Sequence, residues 1–597
     1  MSRKTYNFSI MKVKLLFIVL AFYSTGLFAQ DFAYSERLMQ RFDAAQQQAA
    51  QKKVSNADYF WLTPLLIEAR QNRVRLSPEV REFFKDFDER PVFEGTEQIL
   101  RLGNFAFHYT TDGPAGERVD STDTNGNNIP DYVDFMANAF VDDIYDMYHT
   151  ISGYTIPPAD GTAGGDALYD VYIKANAAPD FVYGFVAGET EIGDNLNSTH
   201  IIERDAYTSF MVMLSNYDDF PSAEDIAIKF TAAHEYMHAV QFGVSSSMDD
   251  WFYEATAAWT EDYVYPGLDD TFQYLDYFFI NPDVSLSLND DEDPDFDGHW
   301  YGSWLFYRYI TEHFGNDIIR RVYDKCVLYD VIPALDYELI EFHNTTFREE
   351  FKNYILANII MQSDVAYAPY TYDRADDYEA YISTIEDKEL IEYVFDYTGN
   401  DIYFNSKISG NDRLMRLSAD YFQVNTNDDF KIVLETQQYE YELEFMLVKL
   451  NMTTSTIEVQ DADYTTNQGV INVTDFANWE QFIPVVIRHD FQVADIDPID
   501  YELFITKADY LSVAEKDNTK AVKVYPNPVN DYFTIEMDSD SNTSTIEVYS
   551  FSGQLVKMFS PQANNRYNIA DLPKGIYTIK VVGNTTYGSF NKVIITR

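Results

Sequence analysis

The spacing of apolar residues changes character several times along this chain. A short apolar run from Leu15 to Phe22 is followed by a polar segment, residues 30–104, with amphipathic helical stretches. From Phe105 short strands, turns and helices alternate, and beyond about residue 370 apolar and polar residues alternate as in strands that bury one face. The pattern predicts a multidomain protein in which an α+β domain, residues 105–370, is followed by all-β sandwich-like domains.

The first residues have the pattern of a secretory signal peptide. Lys12 and Lys14 precede the apolar run, and Ala29 offers a small residue for cleavage before Gln30. The run is shorter than the roughly 20 residues that cross a bilayer. We therefore expect residues 1–29 to be removed and the mature chain to lack a transmembrane segment. The segment that follows fits a removed propeptide and a packed extension equally well.

One predicted helix carries a metal-ligand pattern. It begins near Ser222, which is placed to form a capping box, and ends near Gly243. Within it His234 and His238 are four residues apart, so both imidazoles lie on one helix face with Glu235 beside them. This pattern suits zinc, because two imidazoles and a third ligand leave a position for a water molecule that the glutamate can deprotonate.

The next predicted helix, residues 251–262, holds the best candidate for the third ligand. Glu254 lies among alanines on an otherwise apolar helix, which favours a paired rather than an exposed carboxylate. Glu261 lies two turns later, where it could hold a ligating histidine or replace Glu254 as the ligand. Further along, His299 and Tyr301 could reach the cleft and support an oxyanion, although such residues are more often packed or capping.

A second cluster of ligand-type residues precedes the zinc motif. Oxygen-bearing side chains occupy the positions of an EF-hand-like calcium loop, namely Asp123, Asn125, Asn127, Asp131 and Asp134. Asn128 stands where glycine is usual, which is tolerable because asparagine visits the left-handed region. The alternative is a turn rich in Asp and Asn that caps the following helix. The acidic run 290–297 could bind another calcium or be solvated.

Composition excludes some classes of partner. The net charge is −54 with a pI near 4.3, which argues against binding to nucleic acid, because that needs a basic face. Cys326 is the single cysteine, so the chain cannot form an internal disulfide. A lone histidine in the β region, His489, is expected to be structural.

Residues 107–319, approximately, resemble a family of secreted bacterial metalloproteases of the gluzincin type. The sequence segments that match are Phe107–Thr111, Asn127–Val133, Tyr169–Tyr172, His234–Gln241, Glu254–Ala257 and Tyr301–Ser303. The resemblance implies a zincin-like metalloprotease domain. It also implies zinc held by His234, His238 and Glu254, with Glu235 as the catalytic base.

The end of the chain has a resemblance of its own. Alternating runs such as 430–436 predict a β-sandwich-like domain at 371–510, with binding or spacing as its default role. A charged linker, 511–523, leads to residues 524–597, which resemble the C-terminal sorting domain of the type IX secretion system. The words are Val524–Asp531, Gly575–Lys580 and Lys592–Arg597. This implies that the secretion machinery of a Gram-negative bacterium exports the chain through the periplasm for release or surface attachment.

The sequence therefore predicts a secreted or cell-surface zinc endopeptidase that hydrolyses protein or peptide substrates, with calcium as a second metal. Two alternatives stay open. One is a surface adhesin or binding protein that retains a zincin scaffold without catalysis. The other is a zinc hydrolase of a non-peptide amide.

Overall fold

A computed structural model gives the structure of the chain. It describes residues 34–43, 63–178, 182–218, 220, 222–288, 298–385, 390–406, 414–436, 443–465, 468–490, 498–509, 523–525, 529–536, 545–550, 555–560, 562, 564–582 and 590–595. The predicted signal peptide, the acidic run 290–297 and all but the last residue of the predicted linker lie outside these ranges. The protein is multidomain, with a helical region followed by a part rich in β-sheet.

The described chain forms two compact units. The first contains the N-terminal helices, a five-stranded sheet and the helix that carries His234, Glu235 and His238. The second contains a group of helices and the C-terminal sheets. Helix α6, Asp250–Val264, contributes residues to both units.

The described residues at the start of the first unit form three helices: α1 (residues 34–43), α2 (Thr63–Gln71) and α3 (Pro78–Asp88). Phe42 of α1 packs its ring against Phe83 and Phe84 of α3, with centroids 4.8 and 6.4 Å apart. Ser77 caps α3 by accepting a hydrogen bond from the Val80 amide, and proline follows at the first helical position. The helices therefore share a small aromatic core of their own.

A five-stranded sheet follows, with strand order β1-β2-β3-β5-β4. The strands are β1 (Gln98–Leu102), β2 (Phe105–Tyr109), β3 (Tyr169–Ile173), β4 (Gly184–Gly193) and β5 (Ala206–Met213). The central strands β2, β3 and β5 are parallel, whereas β1 and β4 run antiparallel at the two edges. Strand β1 lies inside the segment that the sequence predicts as helical, because Gly103, at φ 58°, turns the chain into a hairpin there.

Helix α5, Glu224–Phe242, packs against β4 and β5. Gly184 permits this approach, since an added Cβ would lie 3.0 Å from Thr231 Cγ2 on the helix. Helix α4, Asp131–Asn138, continues into wider π-helical turns at 139–144 and 146–151. The predicted capping box of α5 is wrong: the helix begins after Ala223 without a side-chain cap, and the Ser222 hydroxyl donates to Asp270 Oδ1 at 3.4 Å.

The second unit begins with helices that pack through aromatic rings, including Trp300 and Trp304, both fully buried. They are α7 (Leu275–Ile280), α8 (His299–Gly302), α9 (Trp304–Phe314), α10 (Asp317–Cys326), α11 (Val331–Glu338), α12 (Phe347–Ile360) and α13 (Ala375–Ile382). Within the described part of the chain, no helix combines the length and apolar character needed to cross a membrane.

Two five-stranded sheets then share one core. The strands are β6 (Ile391–Tyr397), β7 (Ile402–Asn405), β8 (Ser418–Thr426), β9 (Phe430–Glu435), β10 (Leu443–Asn451), β11 (Thr456–Asp461), β12 (Asp463–Thr465), β13 (Gln468–Val473), β14 (Gln481–Arg488) and β15 (Glu502–Lys507). Their orders are β11-β10-β14-β8-β6 and β12-β13-β9-β15-β7. Phe422 and Phe445 of one sheet meet Phe430 and Leu503 of the other in the core, an arrangement of two layers. His489 lies here, where its Nε2 contacts Glu444 at 2.7 Å.

The chain ends in two smaller sheets, β16-β17-β20 and β19-β18-β21-β22. The strands are β16 (Lys523–Tyr525), β17 (Tyr532–Glu536), β18 (Thr545–Ser550), β19 (Leu555–Phe559), β20 (Arg566–Asn568), β21 (Gly575–Val582) and β22 (Phe590–Ile595). Phe533, Tyr567 and Ile579 are among the buried residues of a core that draws on both sheets.

Candidate metal centre

The three residues predicted to bind zinc are brought together. His234, His238 and Glu254 each offer one ligand atom, and these atoms lie within 4.8 Å of one another. All three residues are fully buried. Among the residues that the structure describes, they form the one such grouping of three histidine, cysteine or acidic side chains. Two imidazoles and a carboxylate are a donor set that zinc takes in catalytic sites.

Both histidine rings are held by hydrogen bonds on their Nδ1 side. His234 Nδ1 lies 2.7 Å from Glu261 Oε1, and His238 Nδ1 lies 2.7 Å from Gln241 Oε1. Carboxylate and amide oxygens accept hydrogen bonds, so each ring donates from Nδ1 and carries its lone pair on Nε2. Such partners fix the tautomer and the orientation of ligating histidines. The residues present therefore fit a zinc ion.

The sequence left two roles open for Glu261, and the structure shows it bonded to His234. Gln241 is the partner that sequence reasoning missed. It lies three residues after His238 on α5, and residues at that spacing are neighbours on a helix surface. The signal available in the sequence was a side chain with an acceptor oxygen three residues after His238.

The predicted base, Glu235, meets a residue from the N-terminal helices. The Thr63 hydroxyl donates to Glu235 Oε2 at 2.9 Å and accepts a hydrogen bond from the Val186 amide at 3.0 Å. Thr63 and Glu235 are fully buried. The two residues are 172 positions apart in the sequence, so no local pattern signals the contact.

The π-helical turns after α4 form hydrogen bonds with helix α5. The Tyr148 hydroxyl donates to the Ala233 carbonyl at 2.7 Å, and His149 Nε2 lies 3.0 Å from the Tyr236 hydroxyl. Burial lowers the pKa of His149 to about 4, so this imidazole is neutral near pH 7. These contacts fix the turn of α5 that carries His234 and Glu235.

The two predicted oxyanion residues lie in the second unit. His299 opens α8 and is buried, and this burial lowers the pKa of His299 to about 4. Tyr301 stacks on Tyr274 with ring centroids 5.2 Å apart. These contacts resemble ordinary packing, and a role for either residue in catalysis stays a prediction.

The predicted calcium loop is closed by its own hydrogen bonds. Asp123 Oδ1 accepts from the Gly126 amide at 2.8 Å, and Asp131 Oδ1 accepts from the Thr124 amide at 3.0 Å. The side-chain amides of Asn125 and Asn127 donate to Asp134 Oδ2 at 2.9 and 2.6 Å. Asn128 has φ 68°, the left-handed conformation expected for it. The loop runs into the first turn of α4, which carries Asp131 and Asp134, so its calcium-binding role stays a prediction beside its role as a turn.

Comparison with known proteins identifies the end of the chain. Residues 523–596 match the family described as the secretion system C-terminal sorting domain. This region is a type IX secretion sorting domain. Its presence implies that the chain interacts with the type IX machinery and is secreted by it.

The other comparisons are uninformative about the site. No curated protein matches the chain. Among solved structures, the BSP domain of a biofilm associated protein is 12% identical and covers 29% of this chain and 46% of its own. A beta-glucuronidase of an uncultured Clostridium species is 10% identical and covers 33% of this chain and 35% of its own. Both TM-scores are 0.12, which is too low to support an argument.

The bond between Glu261 and His234 predicts a measurable effect on metal affinity. Glu261→Gln should weaken zinc binding about 10- to 100-fold, because the amide is a poorer acceptor and no longer raises the basicity of His234. Competition with a chelator of known affinity measures the change. Glu349→Gln makes the same chemical change on an exposed glutamate of α12 and should leave zinc affinity unaltered. Equal affinity in both variants would remove Glu261 from the site.

Proposed function

We propose that this chain is a secreted zinc-dependent endopeptidase with a zincin-like domain over residues 105–370. The observation that carries the proposal is the pair of histidines on α5. The Nδ1 atom of each ring is bonded to a buried acceptor, so Nε2 is the nitrogen of each ring that can bind a metal ion. Glu254 supplies the third ligand atom of the set. The resemblance of the sequence to gluzincin-type metalloproteases supports the same assignment.

The chain's own side chains define the catalytic steps of the proposal. When bound, zinc would supply Lewis acidity and lower the pKa of a water molecule. Glu235 would take a proton from the attacking water as the water oxygen bonds to the carbonyl carbon, and would deliver it to the nitrogen of the leaving amine as the C–N bond breaks. Glu261 and Gln241 hold the two histidines in one orientation. His299 or Tyr301 would stabilise the negative charge that develops on the carbonyl oxygen.

The deciding experiment compares wild-type protein with Glu235→Gln, each as the full chain and after cleavage between α2 and α3, in zinc content and in cleavage of a broad peptide library. A zinc endopeptidase cleaves the library and loses this activity in the variant. A non-catalytic adhesin binds zinc without cleaving any peptide, and a hydrolase of non-peptide amides cleaves only amide compounds outside the library. The sorting domain supports a site of action outside the cell or at the outer surface of a Gram-negative bacterium.

We also propose calcium as a second metal, held by the loop of residues 123–134. Added calcium should raise the melting temperature by several degrees relative to chelator, since a site at about 100-fold excess over Kd stabilises by about 2.7 kcal/mol. It should also slow proteolytic nicking of the loop. Asp123→Asn should abolish both effects. Asp120→Asn makes the same change at a nearby carboxylate that accepts a hydrogen bond from the Thr122 amide, and it should preserve both effects. A melting temperature insensitive to calcium would contradict the proposal.

A further inference from the structure

The hydroxyl of Thr63 lies against the carboxylate that the proposed chemistry needs. It donates to Glu235 Oε2 at 2.9 Å. A general base must accept a proton from water through such an oxygen lone pair. The donor that occupies it comes from the first turn of α2, which precedes the sheet in the chain. The Thr63 hydroxyl thus occupies the position at Glu235 Oε2 that a proton-donating water molecule would otherwise take.

The same helix covers the open edge of the sheet beside Glu235. Strand β4 ends the strand order and pairs on one side with β5. On its other side, the Val186 amide donates to Thr63 Oγ1 at 3.0 Å, and Arg70 Nη2 donates to the Glu189 carbonyl at 2.6 Å. Exposed edges of this kind are where extended peptides pair with a sheet. Helix α2 therefore occupies one carboxylate oxygen of the base and two hydrogen-bonding positions of the adjacent edge.

The N-terminal extension is well packed on both sides of one exposed turn. Leu65 and Leu66 of α2 are buried, and Glu68 accepts a hydrogen bond from the Tyr34 hydroxyl of α1 at 2.7 Å. Beyond α3, Arg90 forms a bidentate pair with Glu189 at 2.6 and 2.7 Å. Between α2 and α3, by contrast, Val74 is 87% exposed in a short turn. A protease can reach this turn without disturbing the buried helices.

We propose that α2 is a latency segment, which holds the peptidase inactive through Thr63 until the chain is cut in the turn between α2 and α3. This inference rests on the proposed function, since it gives Glu235 the role of base. It also favours the propeptide interpretation for the part of the N-terminal extension that precedes this turn, whereas β1, in the same predicted segment, belongs to the sheet.

The test uses the full chain with a site-specific protease sequence inserted after Val74. Cleavage followed by gel filtration should raise kcat/KM on quenched fluorescent casein at least about tenfold, with zinc content unchanged. Hydrogen exchange at the Val186 amide should accelerate, because its acceptor leaves with α2. As a control, the same insertion goes after Asn427, in the turn between β8 and β9, where cleavage should leave activity unchanged.

Substitutions at Thr63 test the contact without requiring α2 to dissociate. Thr63→Val removes the hydroxyl that Glu235 and Val186 share, so the uncut chain should become about tenfold more active. Thr63→Ser keeps the hydroxyl and should remain latent. Lower activity in Thr63→Val would instead make Thr63 a positioning residue for Glu235 and would overturn latency.

Failure of latency and failure of the proposed function give different results. A zinc-containing chain with equal activity before and after cleavage between α2 and α3 overturns latency alone. A chain that binds no zinc, or a cut chain in which Glu235→Gln is as active as wild type, overturns the peptidase assignment and latency with it.

Discussion

Glu235→Gln should retain zinc and lose peptide hydrolysis, with kcat reduced about 10²- to 10⁴-fold, the range for loss of a general base. The amide keeps the shape of the side chain, and its oxygen can still accept the hydrogen bond from Thr63. It cannot take a proton from water. The variant therefore separates the chemistry of the carboxylate from its contribution to the fold.

Single-turnover and steady-state rates on a cleavable library peptide, together with zinc analysis, measure this outcome. Glu224→Gln is the matched control, because Glu224 is an exposed residue at the start of the same helix. It should retain both zinc and activity. If Glu235→Gln hydrolyses the peptide at the wild-type rate while it binds zinc, the base lies elsewhere and the mechanism is wrong.

The same measurement separates the enzyme from its main rival. An adhesin that retains the scaffold would show no chelator-sensitive cleavage in wild type, with α2 in place or removed. Testing the cut chain matters, because latency and absence of catalysis look alike in the uncut protein. Buried ligands do not by themselves separate these cases, since a structural zinc site is also buried.

Local spacing predicted the parts of the site that depend on helix geometry. His234 and His238 are one turn apart, and α6 carries Glu254 and Glu261 two turns apart, so their faces follow from the sequence. Thr63 could not be predicted in this way. Its contact with Glu235 depends on where α2 packs against β4, and this is decided by tertiary packing rather than by the local sequence.

The errors in the fold prediction have similar causes. The Ser222 hydroxyl was expected to cap α5, but a bond to Asp270, from a distant segment, takes its place. Strand β1 was hidden in a segment with helical character, because its pairing partner β2 decides its conformation. In contrast, strand β9 alternates strongly, and the burial of its residues follows the pattern seen in the sequence.

Ile579→Asp should stop secretion of the whole chain. Ile579 lies fully buried on β21 in the core of the sorting domain, with Phe533 and Tyr567. An unpaired carboxylate there costs about 4 kcal/mol or more, a large part of the stability of a small domain. The sorting domain should unfold, and the secretion machinery should no longer bind it.

Immunoblots of periplasm, cell surface and medium measure the result in a bacterium with a type IX system. Ile579→Asp should accumulate in the periplasm, with export reduced to the level of a chain that ends at Asp509. Met558→Asp places the same charge on β19 at a side chain that is 55% exposed, so export should continue. Normal export of Ile579→Asp would mean that a linear segment, rather than the folded core, is recognised. Equal retention of both variants would mean that the machinery rejects added negative charge, whatever its burial.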